Sequence, residues 1–246
     1  MKYTPTIKYL LDLITKASKS VLRDYNEMVY MQSSIKPTED FVKKSRRRSA
    51  DLIIDEINYQ RKFTPNILID GQFKNVGNKY TIIVEPLDAI LNFSHALPLF
   101  SIAVSLRDED KKEILASVIE LPTLREVFFA EKNNGAWHDS FLNSASSGGR
   151  LRVSGRNSSY TMYFSSDHYI EALKDQLIMM NSPLVSIAMV SFGRFDASIF
   201  TKISNEHIAL SELIIKEAGG NIYRHNNLNI FAHEKGFNEL KKILEN

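Results

Sequence analysis

Cysteine is absent from the 246 residues of this sequence, and neither sign of charge is in large excess. Without cysteine the chain has no disulfide bond, no zinc–thiolate site and no thiol nucleophile. The 31 Lys and Arg residues nearly balance the 29 Asp and Glu residues, which leaves a formal net charge of +2. A nearly neutral chain has weak long-range attraction for nucleic acid or for a membrane surface. We therefore expect neither as a partner.

Long apolar runs are also absent. No stretch of 18 apolar residues occurs, so the sequence predicts no transmembrane helix. The N-terminal segment 1–14 is too short and too interrupted by polar residues for a signal peptide. The hydrophobic fraction is nevertheless 43%, which is enough for a chain of this length to bury a substantial core. Together these features predict a globular cytoplasmic protein.

The hydrophobic pattern changes between helical and strand periods along the chain. Apolar residues recur every three or four positions from residue 5 to residue 30, which predicts a first helix. A second helix is predicted to begin at Thr38 or Asp40, with Asp40 as a plausible cap. From residue 66 onward, short apolar runs separated by turn residues predict strands. This mixture predicts a layered α/β or α+β fold.

The second half of the chain has the same mixed character. We predict a strand at Tyr160–Phe164 and helices at His168–Met179, Pro183–Phe192 and Ile208–Ala218. The last helix is predicted to stop at Gly219–Gly220. The polar loop Ser144–Gly149 is the best candidate for a boundary between an N-terminal half, about 1–145, and a C-terminal half, about 146–246. No internal repeat divides the chain further, so the sequence predicts a single domain over 1–246.

The segment Ile83–Phe93 reads I-V-E-P-L-D-A-I-L-N-F and places two carboxylates at the end of an apolar strand. Glu85 and Asp88 are three residues apart, and the carbonyl of Leu87 could add another oxygen. Hard cations such as Mg²⁺ prefer oxygen ligands of this kind. On these residues alone, an ordinary structural turn and a metal site are both open interpretations.

A longer match surrounds this segment. The run E-P-L-D-A-I-L-N-F-S-H-A-L-P, from Glu85 to Pro98, resembles D-P-[IL]-D-G-T-x-N-F-x-H-x-x-P, the signature of the inositol monophosphatase family. Further matches follow in the same order, at Asn133–Trp137, Leu151–Ser154, Gly193–Asp196 and Ile214–Gly220. The resemblance is collinear over roughly residues 36 to 235.

The resemblance implies a five-layer α-β-α-β-α sandwich that usually forms a homodimer. Members of the family are Mg²⁺-dependent, lithium-sensitive phosphomonoesterases that act on inositol phosphates, fructose bisphosphate or nucleotide bisphosphates. In the metal-assisted mechanism that the resemblance implies, one cation activates a water molecule and others stabilise the leaving oxygen. The expected substrate is therefore a small phosphorylated polyol or sugar.

The family's site can be transferred to this sequence by position. Asp88 matches the second Asp of the motif, Glu85 stands at the first Asp, and Asp70 matches the first Glu of a G-E-E motif. Asp70 is thus the expected catalytic carboxylate as well as a metal ligand. The remaining expected metal ligands are Leu87, through its carbonyl, and His207, which stands where the family has Asp.

Several matched positions depart from the family pattern. The family's Gly-Thr pair is Ala89–Ile90, whose backbone amides are expected to bind phosphate, although Ile90 has no hydroxyl to orient water. Lys43 and Arg46 replace a Thr and an Asp of an N-terminal motif. We hypothesise that Arg46 or Lys43 lies over the carboxylates of the site and substitutes for a cation.

Two functional hypotheses follow from these departures. The first is a phosphatase with reduced activity that uses Asp70, Glu85, Asp88 and His207 as an altered metal site. The second is a catalytically inactive family member with a binding or regulatory role, for example as a partner of the transcription machinery. Both require these four side chains to meet in one pocket beneath the helix that carries Arg46.

Overall fold

The computed structural model describes residues 2–32, 38–59, 63–140, 148–156 and 161–245. Their helices and strands in chain order are α1 (Pro5–Met31), α2 (Thr38–Tyr59), β1 (Asn66–Ile69), β2 (Gln72–Lys74), β3 (Tyr80–Glu85), α3 (Ile90–Ser94), β4 (Ile102–Asp108), β5 (Glu113–Leu121), β6 (Glu126–Glu131), β7 (Ala136–Ser140), β8 (Phe164–Ser166), β9 (Leu177–Ile178), α4 (Pro183–Ser191), β10 (Ala197–Phe200), α5 (Asn205–Glu217), β11 (Asn221–His225), β12 (Leu228–Ala232) and α6 (Glu234–Glu245).

Two sheets organise these elements into layers. The larger sheet has the order β2-β1-β3-β4-β5-β6-β7, and the smaller has the order β11-β12-β10-β8-β9. Helices α1 and α2 pack on one face of the larger sheet, α4 and α5 lie between the sheets, and α6 covers the smaller sheet. The predicted five-layer α-β-α-β-α sandwich is therefore confirmed.

Local sequence accounts for where helix α1 begins and for the face it buries. Thr4 caps the helix by accepting a hydrogen bond from the amide of Ile7 at 3.2 Å, and Pro5 occupies the first turn, where no N–H is needed. One stripe of α1, which includes Ile7, Leu10 and Ile14, is fully buried against the sheet.

A buried ion pair joins α1 to α2. Asp24 of α1 is only 1% exposed, and both of its carboxylate oxygens accept hydrogen bonds from Nη1 of Arg48, at 2.7 and 2.8 Å. Arg23 also donates to Asp24 at 3.0 Å. The half-exposed Arg48 therefore compensates a buried charge at the contact between the two helices.

The helix predicted at His168–Met179 is wrong. That segment contains only a short 3-10 turn at Glu171–Leu173 and the strand β9. Leu177 and Ile178 pair in parallel with Phe164 and Ser165 of β8, and Leu173 packs in the core beneath α6. Pairing with the sheet edge overrode the helical spacing of the apolar residues.

Other predicted boundaries need smaller corrections. Helix α2 begins at Thr38, so Asp40 lies within its first turn, where a negative charge favours the helix dipole. The strand predicted at Tyr160–Phe164 is β8, displaced toward the C-terminus; residues 157–160 lie outside the described residues, as does most of the proposed boundary loop. No helix within the described ranges is both long and apolar enough to span a membrane.

The α1–α2 ion pair gives a stability prediction. Asp24→Asn keeps the side-chain shape but removes the charge that faces Arg48, so we expect the free energy of unfolding to fall by about 1–3 kcal/mol. Urea denaturation measures this change. Asp12→Asn, on an exposed position of the same helix, is the matched control and should change stability by about 0.5 kcal/mol or less. Equal effects of the two substitutions would contradict a structural role for the pair.

Candidate active site

Asp70 lies at the tip of a two-residue β-hairpin. Ile69 of β1 pairs with Gln72 of β2, and the two turn residues, Asp70 and Gly71, both have positive φ, 53° and 71°. This is the backbone of a tight hairpin turn, for which Asp-Gly is a favoured sequence. The turn projects the Asp70 carboxylate beside helix α2.

Glu85 and Asp88 are held by the loop that follows β3. The hydroxyl of Ser49 on α2 donates to the Pro86 carbonyl at 2.6 Å, and the Asp88 amide donates to the Ser101 carbonyl at 2.9 Å. The amide of Leu87 donates to Oε1 of Glu85 at 3.2 Å. These bonds fix the loop to α2 on one side and to the segment before β4 on the other.

His207 brings α5 into the same cluster. Ser204 caps α5 and accepts a hydrogen bond from the His207 amide at 3.0 Å, which orients the first turn of the helix toward the loop. Nε2 of His207 then lies 3.5 Å from both Oε2 of Glu85 and Oδ1 of Asp88. This buried nitrogen has no hydrogen-bond partner among the described residues. Its attraction to the two carboxylates is therefore that of an ion pair and not of a hydrogen bond.

Arg46 spans the outer pair of carboxylates. Its Nη1 donates to Oδ2 of Asp70 at 2.8 Å, and its Nη2 donates to Oδ1 of Asp70 at 2.5 Å and to Oε1 of Glu85 at 3.1 Å. The contact with Asp70 is bidentate, a geometry that the planar guanidinium favours. The structure thus brings Arg46, Asp70, Glu85, Asp88 and His207 into one pocket.

Neighbouring charges and burial shift the protonation of these groups. Hydrogen bonds from Arg46 lower the pKa of Asp70. Burial alone would raise the pKa of Glu85, but His207 and Arg46 outweigh burial and lower it. Asp88 is only 4% exposed, and burial raises its pKa. Burial alone would lower the pKa of His207, but the adjacent carboxylates raise it, which favours the imidazolium.

Lys43 is not brought to the carboxylates. It lies one turn earlier on α2, its side chain is 74% exposed, and the contact it makes is with Glu39 at 3.8 Å. Of the two basic residues that the sequence offered, Arg46 is the one that contacts Asp70 and Glu85, and Lys43 pairs with Glu39 instead. Position 46 directs its side chain inward, whereas position 43 leaves its own in solvent.

Of the two positions predicted to bind phosphate, Ala89 already uses its amide in a hydrogen bond and Ile90 begins a helix. The Ala89 amide already donates to Oδ1 of Asp88 at 2.8 Å, and Ala89 adopts a left-handed conformation with a φ of 60°. Ile90 begins the five-residue helix α3, and its side chain is 39% exposed. The side chain of Leu87 is buried in the core; its carbonyl stays a predicted ligand.

Two further residues of the pocket, Ser182 and Glu206, were not predicted as site residues from the sequence. Ser182 caps α4 and donates to Oδ2 of Asp88 at 2.5 Å, which ties α4 to the loop. Glu206 precedes His207 on α5, and its Oε1 lies 3.7 Å from where a Cβ on Gly71 would be. A carboxylate from α5 therefore stands beside Gly71, the second residue of the hairpin turn that carries Asp70.

The donor set does not fit Mg²⁺ as it is arranged. Both oxygens of Asp70 and one of Glu85 accept from Arg46, and both oxygens of Asp88 accept from Ala89, Ser182 and the Leu184 amide. Within the part of the chain that the structure describes, no three His, Asp or Glu side chains are grouped to hold an ion. Mg²⁺ needs near-octahedral oxygen coordination, and these oxygens are already engaged by protein donors.

Comparison with known proteins identifies the family. The model of the inositol monophosphatase family matches residues 2–236. The chain belongs to the inositol monophosphatase family. A fructose-1,6-bisphosphatase/inositol-1-monophosphatase from Thermotoga maritima is 32% identical over 81% of this chain and 77% of its own length. A Nus factor SuhB from Pseudomonas aeruginosa is 26% identical over 88% and 84% of the two chains.

Solved structures agree with this assignment at the level of the fold. The extragenic suppressor protein SuhB from Bartonella henselae superimposes with a TM-score of 0.81 at 22% identity, over 99% of this chain and 100% of that one. The inositol monophosphatase family includes metal-dependent phosphatases, so membership suggests that class of chemistry.

Removal of the guanidinium should make the pocket a better cation site. Arg46→Met keeps most of the side-chain volume but leaves Asp70 and Glu85 without their partner. We expect saturable binding of Mg²⁺ or Mn²⁺ to appear or to strengthen in titration calorimetry, because carboxylate oxygens are released. Without metal, the variant should be less stable by about 1–3 kcal/mol, since a partly buried acceptor loses its donor.

Arg47→Met is the control for this substitution. Arg47 is 85% exposed and contacts Asp51 at 3.9 Å on the same helix, so its loss should leave cation binding unchanged. An Arg46→Met protein that is folded but binds cations no better than the wild type would show that the guanidinium does not compete with a metal.

Proposed function

We propose that this chain is an inositol-monophosphatase-like protein in which hydrolysis of a small polyol or sugar phosphate is strongly reduced. The observation that carries the proposal is the bidentate contact of Arg46 with Asp70, extended to Glu85. In metal-dependent phosphatases carboxylates of this kind bind cations. Here an internal guanidinium compensates their charge and occupies their oxygens.

The residues that follow Asp88 support the same proposal. Ile90 supplies no hydroxyl that could orient water. The amide of Ala89 is used by Asp88, so only part of the expected phosphate-binding backbone is available. If a cation does enter, Glu85, Asp88 and His207 are the groups we assign to it, and a mixed nitrogen and oxygen set suits Zn²⁺ or Mn²⁺ better than Mg²⁺.

A second candidate function is binding or regulation without catalysis. Relatives from Pseudomonas aeruginosa and Pasteurella multocida carry the name Nus factor SuhB and are each 26% identical to this chain. We propose, as the alternative, that this chain has kept the fold to contact a protein partner, with the transcription machinery as an example. A cytoplasmic homodimer is the proposed state in both cases.

Rates of phosphate release test the main proposal. With Mg²⁺ or Mn²⁺ and either inositol-1-phosphate or fructose-1,6-bisphosphate, we expect a rate at least about 100-fold below that of the Thermotoga maritima relative, because water-orienting and charge-stabilising groups are lost. Asp88→Asn should abolish any residual rate and so exclude a contaminating phosphatase. A rate within about tenfold of the relative would overturn the proposal, and no rate at all would favour the binding function.

Reversion of the altered positions provides a converse test. Arg46→Asp, Ile90→Thr and His207→Asp together restore the family residues, so we expect both cation affinity and phosphate release to increase relative to the wild type. Lys43→Thr, an exposed change on the same helix, is the control and should have little effect. Failure of a folded triple variant to gain affinity would mean that the pocket has diverged beyond these three residues.

A further inference from the structure

A second cleft lies beside α1, on the face of the larger sheet that α1 and α2 cover. It has a volume of about 510 Å³ and is bounded by one flank of α1, by Tyr3 and by Glu120 near the end of β5. Ile119, the neighbour of Glu120, packs in the core that contains α4 and α5. Because side chains alternate along a strand, Glu120 faces α1, away from the candidate active site. A cleft of this size can enclose most of a small molecule.

Glu120 is a partly buried acidic group that the proposed function does not use. Its Oε1 accepts a hydrogen bond from the hydroxyl of Ser18 at 2.5 Å, and Ser18 itself is only 6% exposed. No ion pair to Glu120 is found among the described residues. Burial raises the pKa of Glu120 to about 7, although the Ser18 hydrogen bond opposes this shift.

The other charged groups that line the cleft lie in solvent. Lys8, Asp12 and Lys19 are exposed on α1, where water and salt screen their charges. The ring of Tyr3 stacks on Phe129 with centroids 5.3 Å apart, which fixes one end of the cleft. Leu11 is partly buried along the same flank and supplies apolar surface.

We propose that this cleft binds a small organic cation, an amine with an apolar body, whose ammonium group pairs with the carboxylate of Glu120. The apolar body would lie against Tyr3 and Leu11. A partly desolvated carboxylate without a cationic partner carries a cost, and a ligand ammonium reduces that cost. Glu120 determines the sign of the ligand because the lysines at the rim remain solvated.

Three probes of matched size test the charge of the ligand. We choose 2-phenylethylamine as the cation, 2-phenylethanol as its neutral analogue and 3-phenylpropanoate as the anion. Amide chemical shifts of the full chain report both affinity and location. We expect the amine to bind most tightly, with saturable shifts confined to α1 and β5. The affinity should fall about tenfold or more between pH 8 and pH 5.5, because protonation of Glu120 removes the ion pair.

Glu120→Gln is the decisive variant, since it keeps the shape of the side chain and removes the charge. We expect at least a tenfold loss of amine affinity at pH 8. Removal of a charge that desolvation disfavours should leave the variant at least as stable as the wild type at that pH, so unfolding would not explain the loss. Thermal denaturation verifies this. Glu113→Gln, at the exposed start of β5 where Glu113 contacts Lys132, is the control and should bind as the wild type does.

Three results would overturn the proposal. The first is equal amine affinity of Glu120→Gln and the wild type, and the second is tighter binding of the anion than of the amine. The third is the absence of saturable amine binding by the wild type at millimolar concentration and pH 8. None of these results depends on phosphatase activity, so they leave the proposed function of the other pocket unaffected.

Discussion

The placement of Arg46 over Asp70 and Glu85 is the interaction on which the candidate site depends. The carboxylate of Asp70, in a hairpin turn, and that of Glu85, at the end of β3, both contact Arg46. Two like charges held near each other repel, and a cation between them offsets that repulsion. One guanidinium supplies that cation. Because a guanidinium stays protonated and charged at ordinary pH, this compensation does not depend on pH. The contact also joins α2 to the sheet edge, so the charge balance and the position of the helix are determined together.

Asp88 is compensated differently from the outer pair. It is nearly inaccessible to solvent, and its oxygens accept from a serine hydroxyl and from backbone amides. His207 approaches it and Glu85 equally, at 3.5 Å. Fixed dipoles and one imidazole therefore offset the charge of Asp88.

The same balance between burial and compensation appears elsewhere in the layers. Asp24 is fully buried and has an arginine partner. Glu120 is partly buried, accepts from the Ser18 hydroxyl and has no ion pair within the described part of the chain. The first case completes an interhelical contact, and the second leaves a group whose charge is unfavourable unless something binds to it. This difference is why the inference of a ligand rests on Glu120 and not on Asp24.

Much of the fold and part of the site could be predicted from the sequence. The ordered motifs between Glu85 and Gly220 predict the family, and the family determines the sandwich. The Asp-Gly turn at residue 70 is likewise a local signal. The helix predicted at His168–Met179 failed because its apolar residues pair with a sheet edge that is distant in the sequence. Helical spacing and a buried edge strand cannot be told apart over so short a segment.

The sequence by itself determined the order of the motifs, the acidic positions and the loss of the family's threonine at Ile90. Only the tertiary structure decided that Arg46, and not Lys43, meets the carboxylates and that Ser182 and Glu206 join the pocket. It also decided that Glu120 faces a cleft, with no ion pair to it among the residues that the structure describes. The physical reason is that a charged side chain on a helix can point toward solvent or toward the core with little difference in local energy. Packing of α2, α5 and the two sheets makes that choice, and no short-range pattern contains it.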